Sequence, residues 1–247
     1  MIITFIGTGE AGDHRRRNTS VLIEYQGREH LLDCGFSSAM GYLKNGKGLL
    51  ISIWVSHLHG DHFFGIPQLI VSFYIEKRQE PLHILSGADC RQTITAAIEL
   101  AYPGLLEKIE FAIIFVQLEP LHPLHRFGLD WHCAMVRHSQ PAFGLRLQAQ
   151  GESLYYSGDG KTTAEAARLI DGCDIVIHEA FSLTPLKPTH SSIEECFALA
   201  RELELSVLVL VHINRETRKN LEQMKRLKQP PSTTRLLIAD DGDRLRL

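Results

Sequence analysis

Residues 55–62, VSHLHGDH, gather three histidines and an aspartate around one glycine: His57, His59, Asp61 and His62. Imidazole with carboxylate suits zinc, and manganese or iron are also within range; magnesium and calcium favour shells made of oxygen alone. Side chains at i and i+2 share one face of an extended chain, so His57 and His59 can reach one ion together. Asp61 and His62 are adjacent and cannot do the same while the chain stays extended. Gly60 is expected to let the backbone turn and carry them toward a second ion. The spacing therefore points to two metals.

Two ions need more ligands than this segment supplies. Three later apolar runs each end in a suitable group: His138 after LDWHCAMVR, Asp159 after LYYS, and His212 after SVLVLV. His57 likewise follows LLISIWV. Such runs read as buried strands. Ligands at their C-terminal ends can meet on one edge of a sheet although they are far apart in sequence.

The rest of the chain supplies the strands and helices that must position them. Residues 2–6 read as a strand, and 19–25 with 29–34 as a hairpin about Gln26-Gly27. Further strands are expected at 111–118, 129–136, 143–149, 153–157, 175–178, 207–211 and 235–238. Helical spacing covers 63–77, with Pro67 in its first turns, and 88–102, 162–170, 191–203 and 216–227. Gly7-Thr8-Gly9 after a strand suggests a dinucleotide loop, but the full GxGxxG spacing and the following helix are missing. Strand runs flanked by helices in both halves give an α/β layered arrangement, two sheets face to face with helices outside, as one domain over 1–247.

At 247 residues, with 44% hydrophobic and 22% charged, the chain has the balance of a soluble globular protein. No apolar run approaches the roughly 18 residues of a membrane span. The N-terminus enters a strand without a basic region and cleavage site, so the expected location is cytoplasmic with no membrane partner. Five scattered cysteines with no CxxC spacing argue against disulfides and against a thiolate zinc site. A net charge of −3 argues against a globally basic nucleic-acid binder, though Arg15, Arg16 and Arg17 could hold a phosphate locally.

The pattern HxHxDH followed by a distant histidine, aspartate and histidine resembles the metallo-β-lactamase superfamily. More narrowly the chain is similar to ribonuclease Z and its relatives. That likeness rests on FIGTGEAGDHRRRNTS with LLDCG, RHSQPAFGLRL around His138, YYSGDGKTT around Asp159, IHEAF at 177–181, THSSIEE at 189–195 and VHINRE around His212.

The resemblance implies a four-layer αββα sandwich. It implies that His57, His59 and His138 hold one metal, that Asp61, His62 and His212 hold the other, and that Asp159 bridges two zinc ions, with Mn2+ or Fe2+ as alternatives. A hydroxide shared by two ions is a nucleophile near neutral pH, and the ions stabilise charge on a phosphoryl or carbonyl centre. The catalytic group is read as Asp61, His190 and Glu179, with His190 the general acid and Glu179 orienting its imidazole. Asp33 is placed to orient Asp61 or a ligand histidine. His178 reads as a strand residue. His14, His30, His83, His122, His125 and His132 fall outside the motifs, and the HPLH spacing reads as a loop coincidence.

Departures from that family bear on substrate. Ribonuclease Z enzymes carry an arm between the segments matching His138 and Asp159; here the interval has room for a hairpin and little else. The continuation of LLDCG is altered to FSSAM, and Asn214 and Arg215 only loosely replace a serine-rich phosphate contact. The expected function is a dinuclear phosphodiesterase, with RNA or a small phosphodiester as substrate, small or single-stranded substrates ahead of precursor tRNA, and a homodimer possible. The alternative is hydrolysis of a lactone, thioester or sulfate ester at the same site. A non-catalytic binding domain sits poorly with a complete ligand set, and a flavodiiron redox role lacks both its carboxylate ligands and a flavin domain.

Overall fold

The computed structural model describes residues 1–247. Ile2–Gly7 (β1), Ser20–Tyr25 (β2), Arg28–Leu32 (β3), Leu49–Trp54 (β4), Leu82–Ser86 (β5) and Ile113–Gln117 (β6) build one sheet. Leu124–Arg126 (β7), Leu129–Val136 (β8), Ala142–Ala149 (β9), Glu152–Tyr156 (β10), Ile175–Glu179 (β11), Val207–Val211 (β12) and Arg235–Ile238 (β13) build the second. Arg244–Arg246 (β14) returns to the first sheet and pairs antiparallel with β1.

The sheets pack face to face over a core that includes Phe5, Trp54, Trp131, Phe143 and Tyr156. Helices Ser38–Asn45 (α1), Gly60–Phe63 (α2), Ile66–Ile75 (α3) and Arg91–Ala101 (α4) belong to the first half of the chain. Side chains of α1, α3 and α4 share a second core with Leu31, Ile53 and Ile84 of the first sheet. Ala164–Ile170 (α5) and Ile193–Glu202 (α6) cover the second sheet through Ala166, Ile170, Phe197 and Ala200. This is the expected four-layer order, because each sheet has two apolar faces to bury. No helix is long and apolar enough to cross a membrane.

The hairpin about Gln26-Gly27 forms as expected, both turn residues taking positive φ. The expected helix over 63–77 is shorter, running as α3 from Ile66 to Ile75, and a separate turn, α2, precedes it. The His62 carbonyl accepts from the Cys34 amide at 2.7 Å, the Gly65 amide donates to the Cys34 carbonyl at 2.9 Å, and Pro67 has no N–H to continue the ladder. The expected helix over 216–227 also breaks, into Arg215–Lys219 (α7) and a 3₁₀ segment at Leu221–Arg226. Only Met224 of these residues is buried, and the Asn220 side chain caps the Glu216 carbonyl at 3.0 Å, so little holds a continuous helix together. Helix α4 begins at Arg91 rather than at residue 88. Four elements lie outside the expected set: α1, β5 and the three-residue edge strands β7 and β14.

Candidate metal centre

The strand ends explain why seven distant residues meet. β3 and β4 run parallel, as do β10, β11 and β12, while β8 opposes β9 and β9 opposes β10. The C-terminal ends of β8, β10, β11 and β12 therefore share one edge of the second sheet, and those of β3 and β4 share one edge of the first. Asp33 follows β3; His57 and His59 follow β4; His138, Asp159 and His212 follow β8, β10 and β12; Glu179 closes β11. The crevice beyond parallel strand ends is a general position for ligand sites.

Four overlapping groups of side chains could each hold an ion, and two of them together take in all seven predicted ligands. In the first, His57 Nε2 lies 3.0 Å and His138 Nε2 lies 3.1 Å from His59 Nδ1. In the second, His62 Nε2 is 3.4 Å from Asp61 Oδ2 and 3.3 Å from Asp159 Oδ2. His212 Nε2 is 3.6 Å and 3.2 Å from the same two oxygens. Asp159 also lies within 4.8 Å of the facing atoms of His138 and His190, so it stands between the two groups. Ligands about 2.0–2.1 Å from a tetrahedral zinc stand about 3.3–3.4 Å apart, close to the spacing of these atoms. His62 Nε2, His212 Nε2 and Asp159 Oδ1 are buried with no hydrogen-bond partner. Orphaned buried lone pairs are costly, and a cation at their focus would satisfy them.

Three of the histidines are oriented through Nδ1. His62 Nδ1 is 2.7 Å from Asp33 Oδ2, His57 Nδ1 is 2.9 Å from Ser56 Oγ, and His138 Nδ1 is 3.0 Å from the Thr189 carbonyl. A proton on each Nδ1 leaves Nε2 free to face the centre. Asp33 thus orients a ligand-type histidine, His62, rather than Asp61. Asp33 and His212 both adopt positive φ, +59° and +53°, a strained state for residues other than glycine. His212 is held there by its amide, which donates to the Thr8 carbonyl at 2.9 Å.

The chain turns at Gly60, which begins α2, and that helical turn carries Asp61 and His62 inward without a positive φ at the glycine. Its lack of a side chain serves packing: a Cβ there would come within 2.6 Å of the Phe64 ring.

The charges divide the centre. Burial raises the Asp159 carboxyl, but His212 and His62 overcome this and hold it well below the usual range. Burial likewise raises Asp61, and its contacts with His212 and His62 reverse the shift. Burial disfavours charge on His62, yet Asp159 and Asp33 keep its pKa well above 6.5; His212 rises against burial through Asp159 and Asp61. His57 is lowered by burial and by His62, and His59 by burial and by His138. The first group thus carries the lowered imidazoles His57 and His59, and the second pairs the raised imidazoles His62 and His212 with two carboxylates.

His59, His138 and His190 are partly exposed and mark the open side; His57, Asp61, His62, Asp159 and His212 form the buried floor. The His190 ring stacks on Phe181, with centroids 4.8 Å apart, and lies nearly parallel to His212 at 5.9 Å. Its Nδ1 is 3.5 Å from Glu179 Oε1 and makes no hydrogen bond. Glu179 is fully buried and accepts backbone amides from Gly160 at 3.2 Å, Ser191 at 2.6 Å and Phe181 at 3.1 Å. It ties together the loops that carry Asp159 and His190.

Ser56, Tyr156, Thr189 and Phe181 are contributors the sequence did not reveal. Ser56 adjoins His57 and could have been found by asking what orients that ring; the others meet the site only through the fold. The remaining histidines stay outside it. His178 is a buried strand residue bonded to Thr162 Oγ1, and His125 pairs with Asp130 away from the cluster. Most of the basic residues that could hold a phosphate are engaged within the chain: Arg16 pairs with Asp240 at 2.7 Å, Arg17 with Asp241 at 3.3 Å and Arg215 with Glu10 at 2.9 Å. The Asn214 side chain caps α7 by accepting from the Glu216 amide. Of the arginines considered, Arg15 alone forms no ion pair. Between His138 and Asp159 the β9–β10 hairpin fills the interval, with a turn at Gln150-Gly151.

A family model described as anti-Pycsar protein Apyc1 matches residues 1–229. The chain belongs to that family. Ribonuclease Z of Metallosphaera sedula is 24% identical over 93% of this chain and 94% of the relative. The crystal structure of human tRNase Z, short form, has a TM-score of 0.80 at 21% identity, covering 100% of this chain and 99% of that one. The metallo-beta-lactamase fold protein YhfI from Bacillus subtilis has a TM-score of 0.81 at 18% identity, covering 99% and 98%. The family's architecture here is thus the metallo-β-lactamase αββα sandwich, and the chain stands among ribonuclease Z-like, metal-dependent hydrolases.

Proposed function

We propose that this chain hydrolyses phosphodiesters at a dinuclear zinc centre, with Mn2+ or Fe2+ as substitutes. The observation that carries the reading is the convergence of seven ligand-type side chains in two groups, with neighbouring inward atoms within each group 3.0–3.6 Å apart and partly orphaned. His57, His59 and His138 would hold one ion, Asp61, His62 and His212 the other, and Asp159, which stands between the two groups, would serve both. Ions bound there supply an acidified water and neutralise charge growing on the phosphoryl oxygens.

The chain's own residues do the rest. His190 stands on the open side beside Phe181 and His212 and serves as general acid to the leaving oxygen. Glu179, fixed by three backbone amides, is the positioning residue for His190, whose Nδ1 stands 3.5 Å from its Oε1. Asp61 orients the reacting groups as well as binding metal.

The relatives named ribonuclease Z and tRNase Z make RNA a candidate substrate class. The compact β9–β10 hairpin and the internally paired arginines favour small or single-stranded phosphodiesters over folded RNA. A homodimer would add surface that a single chain lacks. Metal-loaded protein should be assayed at one salt concentration against bis-p-nitrophenyl phosphate, cyclic nucleotides, short RNAs, a precursor tRNA, lactones and thioesters. The reading expects phosphodiester turnover, with higher kcat/KM for small substrates than for the precursor. Turnover confined to lactones or thioesters would overturn the phosphodiester reading, and efficient cleavage of the full precursor alone would overturn the size preference.

A further inference from the structure

Asp33 is fully buried, and four donors converge on its carboxylate. Oδ1 accepts the Ser56 amide at 2.7 Å. Oδ2 accepts the Ser56 hydroxyl, the Tyr156 hydroxyl and His62 Nδ1, each at 2.7 Å. The Ser56 hydroxyl has a second neighbour, His57 Nδ1 at 2.9 Å.

A hydroxyl carries one hydrogen and an ionised carboxylate carries none. Ser56 must therefore donate to Asp33, and His57 Nδ1 must carry a proton and donate to Ser56. That tautomer leaves the His57 Nε2 lone pair facing the first group. On the other branch His62 Nδ1 donates directly to Asp33, which leaves His62 Nε2 facing the second group. One carboxylate thus fixes one histidine in each group, through a hydroxyl on one side and directly on the other. Tyr156 supplies a further hydrogen from β10, the strand that leads to Asp159. The Asp159 loop also closes on Ser56: a Cβ on Gly158, whose φ is +57°, would lie 2.5 Å from Ser56 Cβ and 2.8 Å from its hydroxyl.

We propose that Asp33, Ser56 and Tyr156 form one positioning unit that sets the histidine tautomers of both metal groups, with Ser56 as the branch that serves the His57 group alone. The proposal rests on the two-metal reading above.

The test is a zinc competition titration against a chromophoric chelator, in two backgrounds. Asp61→Ala leaves the His57 group intact and His59→Ala leaves the His62 group intact. Adding Ser56→Ala should weaken the remaining zinc site on the order of 10- to 100-fold in the Asp61→Ala background and less than about threefold in the His59→Ala background. Asp33→Asn should weaken zinc in both, and the absorption bands of bound Co2+ should change wherever affinity does. Ser56→Ala removes a single oxygen, so these two measurements decide the matter even if Asp33→Asn does not fold. Unchanged zinc affinity in Ser56→Ala, or an equal loss in the two backgrounds, would overturn the proposal. If neither background retains one ion, the two-metal reading itself fails and the positioning unit falls with it.

Discussion

His190→Ala should keep both metal ions and lose on the order of 10² to 10⁴ in turnover on substrates with poor leaving groups. The loss should shrink for p-nitrophenolate, which departs without a proton. Rates measured across a series of leaving groups would check this, and an equal loss along the series would contradict general-acid catalysis by His190. At this scale most of the centre was legible, because histidine and aspartate at strand ends are conspicuous by type and spacing. His57, His59, Asp61, His62, His138, Asp159 and His212 all meet within one cluster. Ser56 and Tyr156 were hidden for a physical reason. Serine and tyrosine are ordinary core and loop residues, and only the packing of β10 against β3 brings the Tyr156 hydroxyl to Asp33. The pairing of Arg16 and Arg17 was hidden as well, because their partners, Asp240 and Asp241, lie at the far end of the chain.

Among the elements, β3 carries a buried titration with a definite sign. His30 is enclosed between the sheets, with Nδ1 on Ser52 Oγ at 2.7 Å, and burial lowers its pKa to about 3, with Arg28 adding to the shift. The unfolded chain takes up a proton near 6.5, before the folded one does, so stability is full above pH 6.5 and falls as pH drops toward 3. The slope from this group is about 1.4 kcal/mol per pH unit, or about 2 kcal/mol between pH 6.5 and 5. Urea unfolding of the wild type and of His30→Leu across that window should show the difference; parallel pH profiles would contradict it. Long strands with β-branched and aromatic residues were readable, as β8 and β12 show. Boundaries set by tertiary bonds were not. The separation of α2 from α3 depends on Cys34, which lies in the loop after β3, and β7 and β14 are strands only because a neighbour pairs with them.

For the whole molecule, we propose that residues 1–247 unfold as one domain. The inter-sheet core mixes Phe5 and Trp54 with Trp131 and Tyr156, and β14 ties the end of the chain to β1. Calorimetry should show one transition, and two resolved transitions would contradict a single domain. The layered architecture was legible because alternating strands and helices leave few ways to bury both faces of two sheets. Substrate size is a property of the same scale, since binding energy from remote contacts is what a large folded RNA requires and what this compact surface supplies least. The central claim, a two-metal phosphodiesterase, is tested most directly by returning zinc to metal-stripped protein while following bis-p-nitrophenyl phosphate hydrolysis. The account predicts no turnover without metal and a rise that levels off at about two equivalents per chain; full turnover in stripped protein, or saturation at a single equivalent, would contradict it.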